Sequence, residues 1–223
     1  IIRWSSDIPN LIQSSDRNKK IVIGLDRDGV INVDLGTSVT KPEDFEPIPG
    51  SLEAVATIKR LGFQVVIITN QGGIAKGLMT QADVNRIHDR MFKLLGEAGC
   101  AFIEALYYSE TSRKDDIYAK PNTGMFKRCE KEHPEIKFSR GYYVGDKISD
   151  LKAAMKMGAK PILVRTGYGK ETEKLLNRFT YKKIKAKTKV YDDLKSFVDT
   201  LDQAWASPHL SKILALVSAP AIL

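Results

Sequence analysis

The stretch Ile21-Val22-Ile23-Gly24-Leu25-Asp26-Arg27-Asp28-Gly29-Val30-Ile31-Asn32 decides the reading of this chain. A short apolar run carries two aspartates, two residues apart, into a glycine turn. The run has the length of a buried strand. The carboxylates then stand at the strand's C-terminal end, where open α/β sheets place their ligands. Two buried carboxylates need a cation or a shared proton, so the stretch points to metal-assisted chemistry.

Outward from it, strands and helices alternate. After the first strand (21–26) comes a long irregular connection, Asn32 to Pro49, of the kind often found beside a site. A helix is expected from Gly50-Ser51 to Leu61, with Leu52, Val55, Ile58 and Leu61 on one face. Gln64 to Thr69 reads as a second buried strand, running into Asn70-Gln71-Gly72-Gly73-Ile74-Ala75-Lys76-Gly77. Thr80 and Asp83 resemble a capping box, opening a helix to about Gly96. Further strands are expected at 102–108, 141–145 and 161–164. Further helices are expected at 123–133, 148–157, 171–177 and 191–203. This alternation predicts one α/β domain, a Rossmann-like doubly wound parallel sheet. Right-handed crossovers bring the ends of strands one, two and four to one edge.

The domain is read as residues 21–203, after a lead-in (1–20) that Trp4 and Leu11-Ile12 pin to the body. An apolar tail (204–223) follows, in which 209–217 could form two helical turns that pack on the body or on a partner. The 223 residues suffice for a real core. No apolar run reaches the ~18 residues of a membrane span. No signal peptide is legible, and the start at Ile1 leaves the true N-terminus open. Two cysteines, Cys100 and Cys129, are too few for a disulfide framework and read as reduced, in a cytoplasmic protein. Net charge is +8, and from Lys147 onward there are 15 Lys and Arg against 7 Asp and Glu. That basic half, with its run from Lys182 to Lys189, reads as solvated surface or as an attraction to phosphate-bearing partners, nucleic acid included.

Four pieces end strands or begin loops: Asp26 with Asp28, Thr69 with Asn70, Lys120, and Asp146 with Asp150. Phosphoryl transfer uses such a set. A carboxylate attacks phosphorus. A hard cation such as Mg²⁺ screens it from the anionic phosphate. A hydroxyl, backbone amides and a lysine hold the non-bridging oxygens. A second carboxylic acid protonates the leaving oxygen and then deprotonates water. Each residue also has a plainer reading: Asp26 and Asp28 as turn residues, Thr69-Asn70 as a cap, Lys120 and Lys147 as surface lysines, Asp150 as a helix cap. His88 and His133 read as structural or solvated, and Tyr107, Tyr108, Tyr142 and Tyr143 as strand-face fillers.

The pieces together resemble the four motifs of the haloacid dehalogenase (HAD) superfamily of phosphotransferases. Asp26–Asn32, Thr69–Gly77 and Gly145-Asp146-Lys147-Ile148-Ser149-Asp150 are similar to the D-glycero-D-manno-heptose 1,7-bisphosphate and histidinol-phosphate phosphatases, from about residue 20 to 200. The resemblance implies a HAD-like fold with a minimal cap and phosphomonoester hydrolysis through an aspartyl-phosphate at Asp26. It implies Asp28 as general acid and base, with its carbonyl on Mg²⁺ beside Asp26 and Asp146. It implies Thr69, Asn70 and Lys120 on the phosphoryl group, Lys147, Asp34 and Gly36 near the substrate, and Asp150 orienting a metal-bound water. The relatives' Cys/His zinc loop is replaced by Tyr108–Asp116, which has neither residue, so no zinc is expected. An arginine that usually precedes the motif lysine is Ala119, and Arg113 or Lys114 could replace its contact to a second phosphate. Lys120–Phe126 also resembles polynucleotide 3′-phosphatases. A phosphate-binding scaffold without turnover is the remaining alternative.

Overall fold

The computed structural model describes residues 21–204. The lead-in pinned by Trp4 and the apolar tail after Ala204 lie outside the described residues.

Six strands form one parallel sheet: β1 (Val22–Leu25), β2 (Gln64–Asn70), β3 (Ala105–Ser109), β4 (Tyr142–Gly145), β5 (Lys160–Val164) and β6 (Lys189–Tyr191), in the order β3-β2-β1-β4-β5-β6. The central strand, β1, is buried on both sides, as its unbroken apolar run requires. Its alternating residues feed two cores. Ile23 and Leu25 join Val65, Ile67 and Val144 on one face. Val22 joins Val66, Ile68 and Tyr143 on the other. Helices α1 (Ser51–Arg60) and α2 (Gln81–Glu97) and the helix at 194–204 cover the first face. Helices α3 (Gly124–Glu132) and α4 (Ile148–Lys156) cover the second. After β5, α5 (Gly169–Leu176) and the single turn α6 (Lys182–Lys185) close the far edge. The strand order reverses direction between β1 and β4, so the crevice between their C-terminal ends is the switch point where such sheets bind ligands.

Two local signals worked as written. Thr80 and Asp83 exchange the two hydrogen bonds of a capping box at the start of α2. Gly50 takes a left-handed conformation ahead of α1. Two did not. The third strand begins at Ala105, not Phe102. Phe102 is 64% exposed with the Lys59 ammonium over its ring, and Glu104 uses its carboxylate on Lys59 and on the Val65 amide just before β3. The chain also reaches the sheet once more than expected. Lys189–Tyr191 pairs with β5, which delays the last helix from 191 to 194. A three-residue edge strand inside a lysine run has no periodicity to reveal it.

Candidate active site

The C-terminal ends of β1, β2 and β4 deliver the predicted residues to one crevice. Asp26 follows β1 directly, and its amide still donates to Val144 O on β4 (2.9 Å). Lys120 comes from the loop before α3. Its ammonium is buried and lies 2.9 Å from Asp26 Oδ1 and 2.8 Å from Asp150 Oδ1. It also donates to Ile68 O (2.9 Å) and to the Tyr143 hydroxyl (3.0 Å). Burial works against its charge, but Asp150 and Asp26 outweigh burial and raise its pKa. Asp150 sits in the first turn of α4, where its Oδ2 accepts the Lys147 amide (2.9 Å). Its Oδ1 meets Lys120 as an ion pair, outside hydrogen-bond alignment.

Asp146 completes a buried triangle. Ligand oxygens of Asp26, Asp146 and Asp150 lie within 4.8 Å of one another. Asp146 Oδ2 accepts the Tyr168 amide (2.8 Å), whereas Oδ1 is buried and has no partner. Burial, with Asp150 and Asp26 nearby, pushes the Asp146 carboxyl well above the usual range despite Lys147. Asp26 is raised as well, by burial and by Asp150 against the pull of Lys120. Lys120, and Lys147 at 3.9 Å from Asp146 but already shared with Asp34, leave the three carboxylates short of positive charge, and Asp146 Oδ1 has no partner. A hard divalent cation with oxygen ligands fits that donor set. The space is kept by glycine: a Cβ on Gly29 (φ +81°) would stand 2.3 Å from Asp146 Oδ2, and Gly167 approaches from the other side.

Asp28 is held separately. Arg27, fully buried, forks onto it through Nε (3.2 Å) and Nη2 (2.9 and 3.1 Å). Asn32 donates to its Oδ1 (2.9 Å) and Gln71 to its Oδ2 (3.0 Å). Burial raises the Asp28 carboxyl, but Arg27 and these donors outweigh it and hold the pKa below the ordinary value. Arg27 itself rests on Gln71 Oε1 (2.9 Å) and His88 Nε2 (3.2 Å). His88 is pushed down to about 3 by burial and by Arg27, so it is neutral and accepts from the guanidinium.

Thr69 is buried, with its hydroxyl accepting from Gln71 Nε2 (3.0 Å). Asn70 is tied to the lysine segment. Its amide side chain exchanges two hydrogen bonds with the Lys120 backbone (3.0 and 3.1 Å), so it fixes the lysine segment. Lys147 reaches Asp34 Oδ2 (2.7 Å) and stands over the Tyr168 ring, and Gly36 N donates to Asp34 Oδ1 (2.9 Å). Asp28, Asp34, Gly36, Asn70 and Lys147 line one cavity of about 340 Å³. Arg113 does not join it; its guanidinium is held by Asp115 at 2.7 and 3.1 Å.

Sequence reasoning gave no role to Gln71 or to the Tyr143 hydroxyl. Gln71 stood in the quoted loop, next to the residues it serves. Tyr143 read as core and is core, yet its hydroxyl bonds Lys120 and Ile68 O (2.6 Å). A phenol group that ends beside a buried lysine leaves no mark on a pattern of apolar residues.

A parallel sheet whose central strand ends in a carboxylate pair, facing a buried lysine and a third aspartate from β4, defines a phosphatase of the HAD-like class. The chain belongs to the family whose model is described as polynucleotide kinase 3 phosphatase, which matches residues 21–161, and within it resembles the heptose bisphosphate phosphatases. It is 36% identical over 177 residues to the D-glycero-beta-D-manno-heptose-1,7-bisphosphate 7-phosphatase of Pseudomonas putida, covering 79% of this chain and 97% of that protein. The crystal structure of D,D-heptose 1,7-bisphosphate phosphatase from Bordetella bronchiseptica, complexed with magnesium and phosphate, superposes with a TM-score of 0.74 at 33% identity, covering 82% of this chain and 98% of that one. The enzyme from Burkholderia thailandensis gives 0.60 at 34% identity, covering 80% and 96%. This chain is therefore a phosphoric monoester hydrolase.

Proposed function

We propose that this phosphatase is Mg²⁺-dependent and removes the 7-phosphate of a heptose 1,7-bisphosphate through an aspartyl-phosphate at Asp26. The observation that carries the reading is the buried triangle of Asp26, Asp146 and Asp150, closed by Lys120 and holding an unpartnered Asp146 oxygen. Asp26 and Asp146, with the Asp28 carbonyl, would hold the cation, and Asp150 would orient its water. Bound Mg²⁺ would screen the nucleophile from the anionic phosphate.

The chain's own groups do the rest. One Asp26 oxygen attacks phosphorus, while Lys120 neutralises the carboxylate and the phosphoryl oxygens. The bond from phosphorus to the sugar oxygen breaks, and Asp28 gives that oxygen its proton. Arg27 keeps Asp28 ionised in the free site; the phosphate dianion arriving beside it opposes Arg27 and raises its proton affinity, so that Asp28 takes up a proton from solvent as the substrate binds and returns it when inorganic phosphate leaves. Asp28 then takes a proton from the water that attacks the phospho-aspartate, restoring Asp26 and releasing inorganic phosphate. Thr69 supplies a hydroxyl to the transferring group, and the Asn70 side chain aims Lys120.

A second reading, a polynucleotide 3′-phosphate as substrate, is favoured by the description of the matching family model and by the basic half from Lys147 onward. Phosphate release with Mg²⁺ from heptose 1,7-bisphosphate, histidinol phosphate and a 3′-phosphorylated oligonucleotide separates them. The proposal expects the bisphosphate to give the highest kcat/KM and a product that keeps its 1-phosphate. Preference for the oligonucleotide overturns the sugar reading.

A further inference from the structure

The rim of the catalytic cavity carries a cation that the chemistry above does not use. Asp28, Asp34, Lys76, Ser112, Lys147 and Tyr168 are among the residues that line it. Asp28 is matched by Arg27 (2.9 Å) and Asp34 by Lys147 (2.7 Å). The Lys76 ammonium has no ion-pair or hydrogen-bond partner among the described residues. Charge at the rim is thus balanced except for one lysine.

That lysine is on an anchored loop. Gly77 N donates to Ile74 O and Leu78 N to Gly73 O (both 2.9 Å), which close the turn around it. The loop after β3 grips it from outside: Gln71 N donates to Ser109 O (2.7 Å) and Ala75 N to Glu110 O (3.1 Å), while Gln81 bonds the Glu110 carboxylate. Ser112 presses so closely on Gly72 that a Cβ there would meet its hydroxyl at 2.6 Å. An exposed lysine in solvent needs no such scaffold. A cavity of about 340 Å³ is at the small end of ligand pockets, ~300–1,000 Å³. Asp28 is the catalytic carboxylate that lines this cavity, so a phosphorylated sugar whose reacting end lies beside it would have its other end at this rim.

We infer that Lys76 seats a second anionic group of the substrate, a phosphate remote from the one hydrolysed, and so selects sugar bisphosphates over monophosphates. This rests on the sugar-phosphate reading above and replaces Arg113 and Lys114, neither of which lines the cavity. An uncharged sugar end would leave Lys76 solvated and without effect. A second phosphate would gain a charge-assisted hydrogen bond, a contact that separates affinities by roughly 10- to 100-fold.

The test compares kcat/KM for heptose 1,7-bisphosphate with that for heptose 7-phosphate, in the wild type, Lys76→Ala, Lys76→Arg and the double variant Arg113→Ala/Lys114→Ala. The expected result is a wild-type preference for the bisphosphate that falls by roughly 10- to 100-fold in Lys76→Ala, mainly through KM. Lys76→Arg restores most of it, and the double variant keeps it. A preference unchanged in Lys76→Ala, or lost in the double variant instead, overturns the inference. So does a wild type that treats both substrates alike, which leaves the phosphatase reading standing. No phosphate release from either sugar, with release from the oligonucleotide, overturns the sugar reading and the inference together.

Discussion

Arg27 is the residue whose loss should separate folding from chemistry most sharply. Its guanidinium is fully buried and makes three contacts to Asp28 at 2.9–3.2 Å, with Gln71 and His88 behind it. Arg27→Met keeps much of the stem's volume and removes the charge. Asp28 would keep only Asn32 and Gln71 as donors. Breaking a buried ion pair from one side costs ~3–5 kcal/mol. The Asp28 side chain is 19% exposed and retains two neutral donors, so the lower end, ~3 kcal/mol, applies. For a domain of this size that lowers Tm by roughly 6–12 °C. Activity should fall further than stability, because general acid–base catalysis contributes ~10²–10⁴-fold and depends on where Asp28 points. Arg27→Lys keeps the charge but not the fork, and should fall between. Thermal unfolding and steady-state kinetics read the two effects. A variant that melts within 2 °C of wild type (a threshold of about 1 kcal/mol or less) and keeps its kcat would refute the clamp.

Other consequences follow from the same geometry. The raised Asp146 carboxyl binds its proton more tightly folded than unfolded, so its ionisation destabilises the metal-free protein as pH rises above the ordinary carboxylate range. Mg²⁺ needs that carboxylate ionised, so added Mg²⁺ should raise Tm more at about pH 8 than at about pH 5.5; equal shifts, or shifts retained in Asp146→Asn, would count against the site. Gly29→Ala should abolish the Mg²⁺-dependent stabilisation, because the new methyl falls 2.3 Å from Asp146 Oδ2 at a positive φ; isothermal titration with Mg²⁺ checks it. Thr80→Ala removes a helix cap that does not line the cavity and should cost ~1 kcal/mol of stability with kcat intact, measured by urea unfolding and turnover.

How far the sequence led depends on the kind of signal each part left. Buried parallel strands leave apolar runs, and the Val22–Leu25, Gln64–Asn70 and Tyr142–Gly145 strands were legible from theirs. Their order was not, because a run does not say which strand lies beside it. Asp26, Lys120, Asp146 and Asp150 were legible because their chemistry requires them together: Asp26 and Asp150 meet at Lys120, and Asp146 has a carboxylate oxygen within 4.8 Å of both. Asn70 was legible as a site residue, but its link to the lysine segment was not: an amide can serve a ligand or the backbone, and only the fold shows the Lys120 backbone beside it. Arg113 was the reverse case. Its charge suggested a phosphate contact, and Asp115, two residues on, takes that charge. Lys76 stood in a quoted glycine loop and was passed over, because nothing in a sequence says which lysine lacks a partner.

In the proposed reaction Asp26 becomes covalently phosphorylated. The most direct measurement is an acid-quenched single turnover with a labelled phosphoryl group and Mg²⁺, followed by peptide mapping. Label is expected on the peptide containing Asp26, transient in the wild type and absent in Asp26→Asn. Phosphate release at the wild-type rate by Asp26→Asn, or label carried on a different residue, would contradict it.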